Sequence, residues 1–66
     1  MTPVQFSALS KLLQVRKGAA REAAYLVLVN GLRPSEAARQ TGLSPASVSN
    51  AVTRFRKGMK LVAQAS

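Results

Sequence analysis

The chain has 66 residues, with ten Lys and Arg against two Asp and Glu, a formal net charge of +8, and no cysteine or histidine. Its length allows one domain with a small core. The absence of cysteine excludes a disulfide, and the absence of both cysteine and histidine argues against zinc, so no metal or other cofactor is expected. The positive charge predicts a polyanionic partner, with nucleic acid the first expectation and an anionic membrane the second.

The first predicted helix runs from about Pro3 to Gln14. Thr2 and Gln5 have the spacing of a capping box, and a proline occupies the first helical position. Apolar side chains then recur at helical spacing and predict one buried stripe. This stripe consists of Phe6, Leu9 and Leu13, with Leu12 alongside. The basic segment of residues 16–18, which ends in glycine, is predicted to break the helix.

The second predicted helix covers about Ala19 to Val29. The segment of residues 25–29 has the β-propensity of a strand, but its apolar residues continue a helical spacing and no partner strand is evident. Asn30 and Gly31 follow, a pair that commonly ends a helix in the left-handed conformation. A helix is therefore preferred to a strand for this segment.

A third, very short helix is predicted from Pro34 to Gln40 or Thr41. Glu36 lies in its first turn, where a carboxylate interacts favourably with the helix dipole. Gly42 follows its last residue and is expected to end it.

A fourth helix is predicted to begin at Pro45, with Ser44 as its N-cap. Gly58 is expected to end it, because glycine is the residue most often found just past the end of a helix. The segment of residues 59–65 then either forms a short fifth helix or frays.

The third and fourth helices, joined by a tight turn that contains glycine, match the helix-turn-helix pattern. Ala38 occupies the position where only a small side chain allows the two helices to approach. Gly42 occupies the turn, where the missing Cβ permits a positive φ. Leu43, Val48 and Ala51 follow at spacings that direct them toward the core. Five requirements at fixed spacing make this pattern specific.

The expected fold class is all-α: a small bundle of four to five helices that contains a helix-turn-helix. The DNA-binding domain is assigned to residues 1–58, and residues 59–66 form a short C-terminal tail that could support dimerisation. Hydrophobic residues make up 47% of the chain, which excludes a disordered basic tail. The longest apolar run, residues 23–29, is far too short to span a membrane. Double-stranded DNA, and not a membrane, is therefore the expected partner.

The fourth helix has two faces of different character. Its apolar arc consists of Val48, Ala51, Val52, Phe55 and Met59. The opposite face carries short side chains, which would let a helix backbone lie deep in the major groove, and Asn50 can pair bidentately with adenine. The residues predicted to read bases are Pro45, Ala46, Ser47, Ser49, Asn50 and Thr53.

Cationic and small polar residues around both helices of the pattern are predicted to contact DNA phosphates. These residues are Arg33, Ser35, Arg39, Ser44, Arg54, Arg56 and Lys57. The cations of the first half of the chain are interpreted instead as solvated surface charges. That group consists of Lys11, Arg16, Lys17 and Arg21.

The segment from Val27 to Phe55 reads VLVNGLRPSEAARQTGLSPASVSNAVTRF. It resembles the DNA-binding domain of the KorA/TrfB plasmid repressors. In those proteins a Val-Leu-Val-(Asp/Asn)-Gly segment leads into a Gly-Leu-(Ser/Thr)-x-x-x-Val-Ser-x-Ala-Val-x-Arg recognition unit. The opening Thr2-x-x-Gln5-Phe6 also resembles the start of that domain, so the likeness covers residues 2–55.

The resemblance implies an all-helical repressor that forms a homodimer on a palindromic operator. The family has Gln where this chain has Asn50, and a basic residue where this chain has Pro45, which implies a different operator. The family also carries a further C-terminal dimerisation segment, whereas only residues 56–66 follow the similar part here. By elimination, the candidates for a dimer interface are Met59, Leu61 and Val62.

Three functions stay open. The first is a transcriptional regulator, most simply a repressor, of plasmid, phage or integrated-element origin in the bacterial cytoplasm, associated with the nucleoid. The second is an excisionase-like or architectural protein that bends DNA. The third is a basic amphipathic peptide that binds a membrane or a partner protein. An enzyme is not expected, because two carboxylates without Cys or His offer little for a catalytic constellation.

Overall fold

The computed structural model describes residues 1–65, and within that range the chain is all-helical, without strands. The helices are α1 (Pro3–Leu12), α2 (Ala19–Leu28), α3 (Pro34–Thr41) and α4 (Pro45–Ala65). The predicted small all-α bundle is therefore confirmed. The 21 residues of α4 span roughly 30 Å, which accounts for most of the 35 Å length of the molecule.

The capping box at the start of α1 is formed as predicted. The Gln5 backbone N–H donates to Thr2 Oγ1 at 3.1 Å, and the Thr2 backbone N–H donates to Gln5 Oε1 at 3.0 Å. Pro3 occupies the first helical turn, where a backbone N–H would have no partner within the helix, so proline costs no hydrogen bond there. These local interactions fix the start of α1 without any help from the core.

The prediction for α1 was wrong in two respects. The helix ends at Leu12 rather than Gln14, because Gln14 has a φ of 55° and cannot continue a right-handed helix. Leu12, placed beside the buried stripe, is 67% exposed. Phe6 and Leu9 are buried and Leu13 packs against the core; a rotation of about 100° per residue carries Leu12 outside the arc that these three define.

The prediction that residues 25–29 continue the second helix and do not form a strand is confirmed. α2 continues to Leu28, with Val29 as its C-cap, and Gly31 takes the left-handed conformation at a φ of 77°. Ala23 and Ala24 are completely buried. Such small side chains let α3 and α4 pack closely against α2, and this packing outweighs the strand propensity of the following residues.

An aromatic cluster joins three of the helices. The rings of Phe6 in α1 and Phe55 in α4 stack with centroids 4.5 Å apart and planes 8° from parallel. Tyr25 of α2 meets the Phe6 ring edge-on at a centroid distance of 5.1 Å. The remaining buried apolar side chains are small, apart from one leucine. They are Leu9, Ala23, Ala24, Ala37, Ala38, Val48 and Val52.

The prediction that Gly58 ends the fourth helix was wrong. α4 passes through Gly58 without interruption and continues to Ala65, so residues 59–65 are its last turns and not a separate fifth helix. Gly58 is buried, and its Cα faces the side chains of Leu9 in α1 and of Leu13, the residue that follows α1. The glycine permits the close approach of α1 rather than a left-handed helix end.

Candidate functional site

The turn between α3 and α4 has the geometry that the helix-turn-helix spacing predicts. Gly42 ends α3 in the left-handed conformation, with φ 75° and ψ 14°, and its N–H donates to the Ala38 carbonyl. The Leu43 N–H donates to the same carbonyl at 3.1 Å. Ala38 is only 3% exposed, so its methyl group lies in the contact between the helices. The turn therefore fixes the direction in which α4 leaves α3.

Ser44 caps the N-terminus of α4, as predicted. Its Oγ accepts a hydrogen bond from the Ser47 backbone N–H at 3.2 Å and lies 3.0 Å from Ser47 Oγ. Both side chains are exposed. The two hydroxyls thus form a polar pair at the exposed start of the helix, and one of them already satisfies a backbone group.

The apolar arc of α4 faces the core, which settles the orientation of the helix. Val48, Val52 and Phe55 are buried, and Ala51 and Met59 are half-buried against the same core. Because three turns of the helix are held this way, the opposite side chains have a fixed orientation toward solvent.

Every residue that was predicted to read bases is exposed. These residues are Pro45, Ala46, Ser47, Ser49, Asn50 and Thr53. With about 100° per residue, Ala46, Asn50 and Lys57 lie nearly opposite the centre of the buried arc. Ser49 and Arg56 lie along one flank of this exposed face, and Ser47 and Arg54 lie along the other.

Two polar side chains on this face differ in what they can still bind. The Asn50 amide makes no hydrogen bond with any described residue, so its donor and its acceptor groups are both available. Thr53 Oγ1 donates to the Ser49 carbonyl at 2.8 Å. The threonine proton is therefore in use, and its hydroxyl can only accept a further hydrogen bond.

The cations predicted to contact phosphates are all exposed, as are Ser35 and Ser44. The structure brings two of them together across the fold. Arg33, in the connection before α3, and Arg56, in the fourth turn of α4, line one open cleft of about 470 Å³ with Ser49 and Thr53. The sequence offered no signal for this convergence, because the two arginines are far apart in the chain.

The cations of the first half of the chain lie elsewhere. Lys11, Arg16 and Lys17 are exposed, and Arg21 is half-buried. Lys17 and Arg21 border an open groove of about 350 Å³ between α1 and α2, together with Glu22 and Tyr25. None of these residues lines the cleft beside α4, so the two basic regions are separate.

The three dimer candidates are in different situations. Met59 is half-buried against the core of its own chain, and it lines a shallow depression with Met1 and Leu28. Leu61 is 65% exposed and Val62 is 43% exposed. The last turns of α4 thus present apolar side chains to solvent beyond the part of the helix that α1 covers.

The described part of the chain holds no group of three or more His, Cys, Asp or Glu side chains that could bind a metal ion. Among the same residues, no helix is both long and apolar enough to cross a membrane. Comparisons of the chain with protein-family models, curated proteins and solved structures gave no match.

Proposed function

We propose that this chain is a sequence-specific double-stranded DNA-binding transcription regulator that places the exposed face of α4 in the major groove, with repression as its effect. The part of α4 from residue 45 to residue 57 enters the groove. The turns beyond Gly58 continue the same helix away from the base-reading part.

The exposed face of α4 supports this function most directly. Short side chains on the first turns leave the helix backbone free to approach base edges, and the Asn50 amide has no partner among the described residues. Asn pairs bidentately with adenine through N6 and N7. A helix-turn-helix presents the N-terminal part of its second helix to base edges, which is where Asn50 lies.

The charge distribution supports the same orientation. Arg54 and Lys57 are exposed on the helix whose opposite side carries the core, and Arg33 and Arg56 flank it. Phosphate contacts position a protein on the duplex, and base contacts then select the sequence. The resemblance of residues 2–55 to the KorA/TrfB repressors supports a role at promoters.

A homodimer on a palindromic site completes the proposal. Two copies of α4 must then enter successive major grooves, about 34 Å apart. Leu61 and Val62, exposed on the last turns of α4, are the side chains proposed to join the two copies. Met59 contributes less, because its own core already covers part of it.

Binding of a DNA duplex and of an RNA duplex with the same base order separates groove insertion from simple attraction between charges. The two duplexes carry the same charge per phosphate, but the deep and narrow major groove of A-form RNA does not admit a helix. The proposal expects fluorescence anisotropy to show tighter binding of the DNA duplex. Equal affinities would contradict insertion into the groove.

Two further probes separate the other functions considered. Vesicles with anionic lipid test the membrane alternative, and tighter binding to vesicles than to DNA would favour it. A footprint on the plasmid, phage or integrated element that encodes the chain distinguishes regulation from recombination. Protection over promoter sequences supports the regulator, and clustered protection at attachment ends supports the DNA-bending protein.

A further inference from the structure

Arg33 and Arg56 reach one cleft from two different parts of the fold. Arg33 is the last residue before α3 and has an extended backbone, with φ −72° and ψ 149°. Arg56 lies on the flank of α4 that also carries Ser49. Apolar side chains also line the cleft, among them Val27, Leu32 and Val52.

No carboxylate lines this cleft, and both arginines are exposed without an ion-pair partner among the described residues. Two guanidinium groups that share one open cleft repel each other, and an anion between them would convert this repulsion into attraction. Guanidinium groups match the oxygens of a phosphate through paired, charge-assisted hydrogen bonds. The arrangement therefore suits a phosphate group.

We infer that Arg33 and Arg56 together hold a single phosphate of the DNA backbone and that Ser49 donates a hydrogen bond to the same phosphate. This inference rests on the proposed function, because the phosphate belongs to the duplex that α4 enters. The cleft adjoins the exposed face of α4 on the Ser49 side, so the phosphate belongs to the strand on that side of the groove.

The hydroxyl groups on this flank have different roles. Ser49 Oγ makes no hydrogen bond in the described part of the chain, so it can donate to a phosphate oxygen. Thr53 Oγ1 already donates its proton to the Ser49 carbonyl. A backbone phosphate has no proton to donate, so the Thr53 hydroxyl cannot form a hydrogen bond with it. Thr53 therefore lines the cleft without donating to the phosphate.

A shared phosphate has a measurable consequence for the salt dependence of binding. Each phosphate that a protein neutralises contributes about 0.9 to the slope of log K against log salt concentration. If the two arginines hold one phosphate, the variant R33M/R56M loses about one such increment for each bound chain, and each single variant loses less than half of one per chain. Arginines on separate phosphates would lose one increment each and about two together for each bound chain.

The experiment measures anisotropy of a short duplex of random sequence over a series of salt concentrations. It uses the full chain, the two single variants, the double variant and Arg16→Met as the matched control on the other basic region. Methionine keeps an unbranched apolar side chain, and thermal unfolding verifies that each variant folds. A double variant that loses two increments per bound chain, or none, would overturn the inference.

Single methylphosphonate substitutions in a duplex enriched by selection identify the phosphate. One position in each half-site is expected to weaken binding of the wild-type chain and to have no further effect on R33M/R56M. Arginines that respond to two different positions within one half-site would overturn the shared contact. If selection enriches no sequence, the proposed regulator fails, while the random-sequence duplex still decides whether the two arginines share a phosphate.

Discussion

Gly58 of α4 lies directly against Leu13, which follows α1. A Cβ atom built on Gly58 would be 3.2 Å from Leu13 Cδ1 and 3.3 Å from Leu13 Cδ2, with Leu9 Cδ2 at 3.4 Å. The absence of a side chain thus lets the leucines of α1 cover the middle of α4. This contact, together with the Phe6–Phe55 stack, holds α1 to the rest of the bundle.

Substitutions at this contact separate close packing from helix termination. Gly58→Ala should change the free energy of unfolding by less than about 1 kcal/mol, because the gain in helix propensity offsets contacts with movable leucine methyl groups. Gly58→Leu should destabilise by about 1–3 kcal/mol, because the larger side chain pushes α1 away. Urea unfolding followed by circular dichroism measures both values.

Gly42→Ala is the matched comparison. Gly42 has a φ of 75°, so alanine at this turn should cost about 1–2 kcal/mol although the space around it is open. If the Gly58→Leu variant had the same free energy of unfolding as the wild-type chain, the role of Gly58 in packing would be contradicted. Equal losses for the two alanine variants would indicate that both glycines serve as helix ends.

The aromatic stack gives a second prediction about stability. Phe55→Leu keeps most of the buried volume but removes the parallel ring contact with Phe6, so it should lower the free energy of unfolding by about 1–2 kcal/mol. Leu12→Ala is the control at a site that is 67% exposed and should change stability by less than about 0.5 kcal/mol. Similar thermal unfolding curves for the two variants would argue against the stack as the centre of the core.

Much of this fold is predictable because its signals are local. The capping box at Thr2 and the left-handed Gly42 depend on a few neighbouring residues, so their sequence spacing is sufficient. Gly58 has the same residue type as Gly42 but a different role, and only the approach of α1 reveals it. A glycine that ends a helix and a glycine that faces another helix look alike in one sequence.

Part of the candidate site could likewise be predicted from the sequence, and part could not. The two faces of α4 follow from helical periodicity, so the exposure of Asn50 and the burial of Val48 could be predicted. The shared cleft of Arg33 and Arg56 depends on how the connection before α3 packs beside α4. No periodicity relates a loop residue to a helix residue, and this pairing therefore required the structure.

Lys57 tests the electrostatic part of the proposed interface. Lys57→Ala should weaken binding to all duplex sequences alike and lower the salt-dependence slope by about one ion. Lys11→Ala removes an equally exposed charge from α1 and should leave the slope nearly unchanged. Anisotropy titrations over several salt concentrations measure the slopes, and equal changes for both variants would show that only net charge matters.

The last turns of α4 test the proposed homodimer. Leu61→Ser and Val62→Ser together should weaken self-association and binding to a palindromic duplex, because they remove exposed apolar surface from the proposed interface. Val4→Ser, at an α1 position that is 79% exposed, is the control and should have no effect on either. Sedimentation of the wild-type chain as a monomer even on the duplex would contradict the dimer.

Selection of bound duplexes from a random pool, carried out in parallel on the wild-type chain and on Asn50→Ala, tests the base-reading role of α4 most directly. The wild-type chain should enrich a short palindromic motif, and Asn50→Ala should enrich the same motif with one position of each half-site relaxed. The variant should bind the wild-type motif more weakly by about 1–3 kcal/mol. A wild-type chain that enriches no motif, or a variant that enriches an unchanged motif with uniformly weaker binding, would contradict this role.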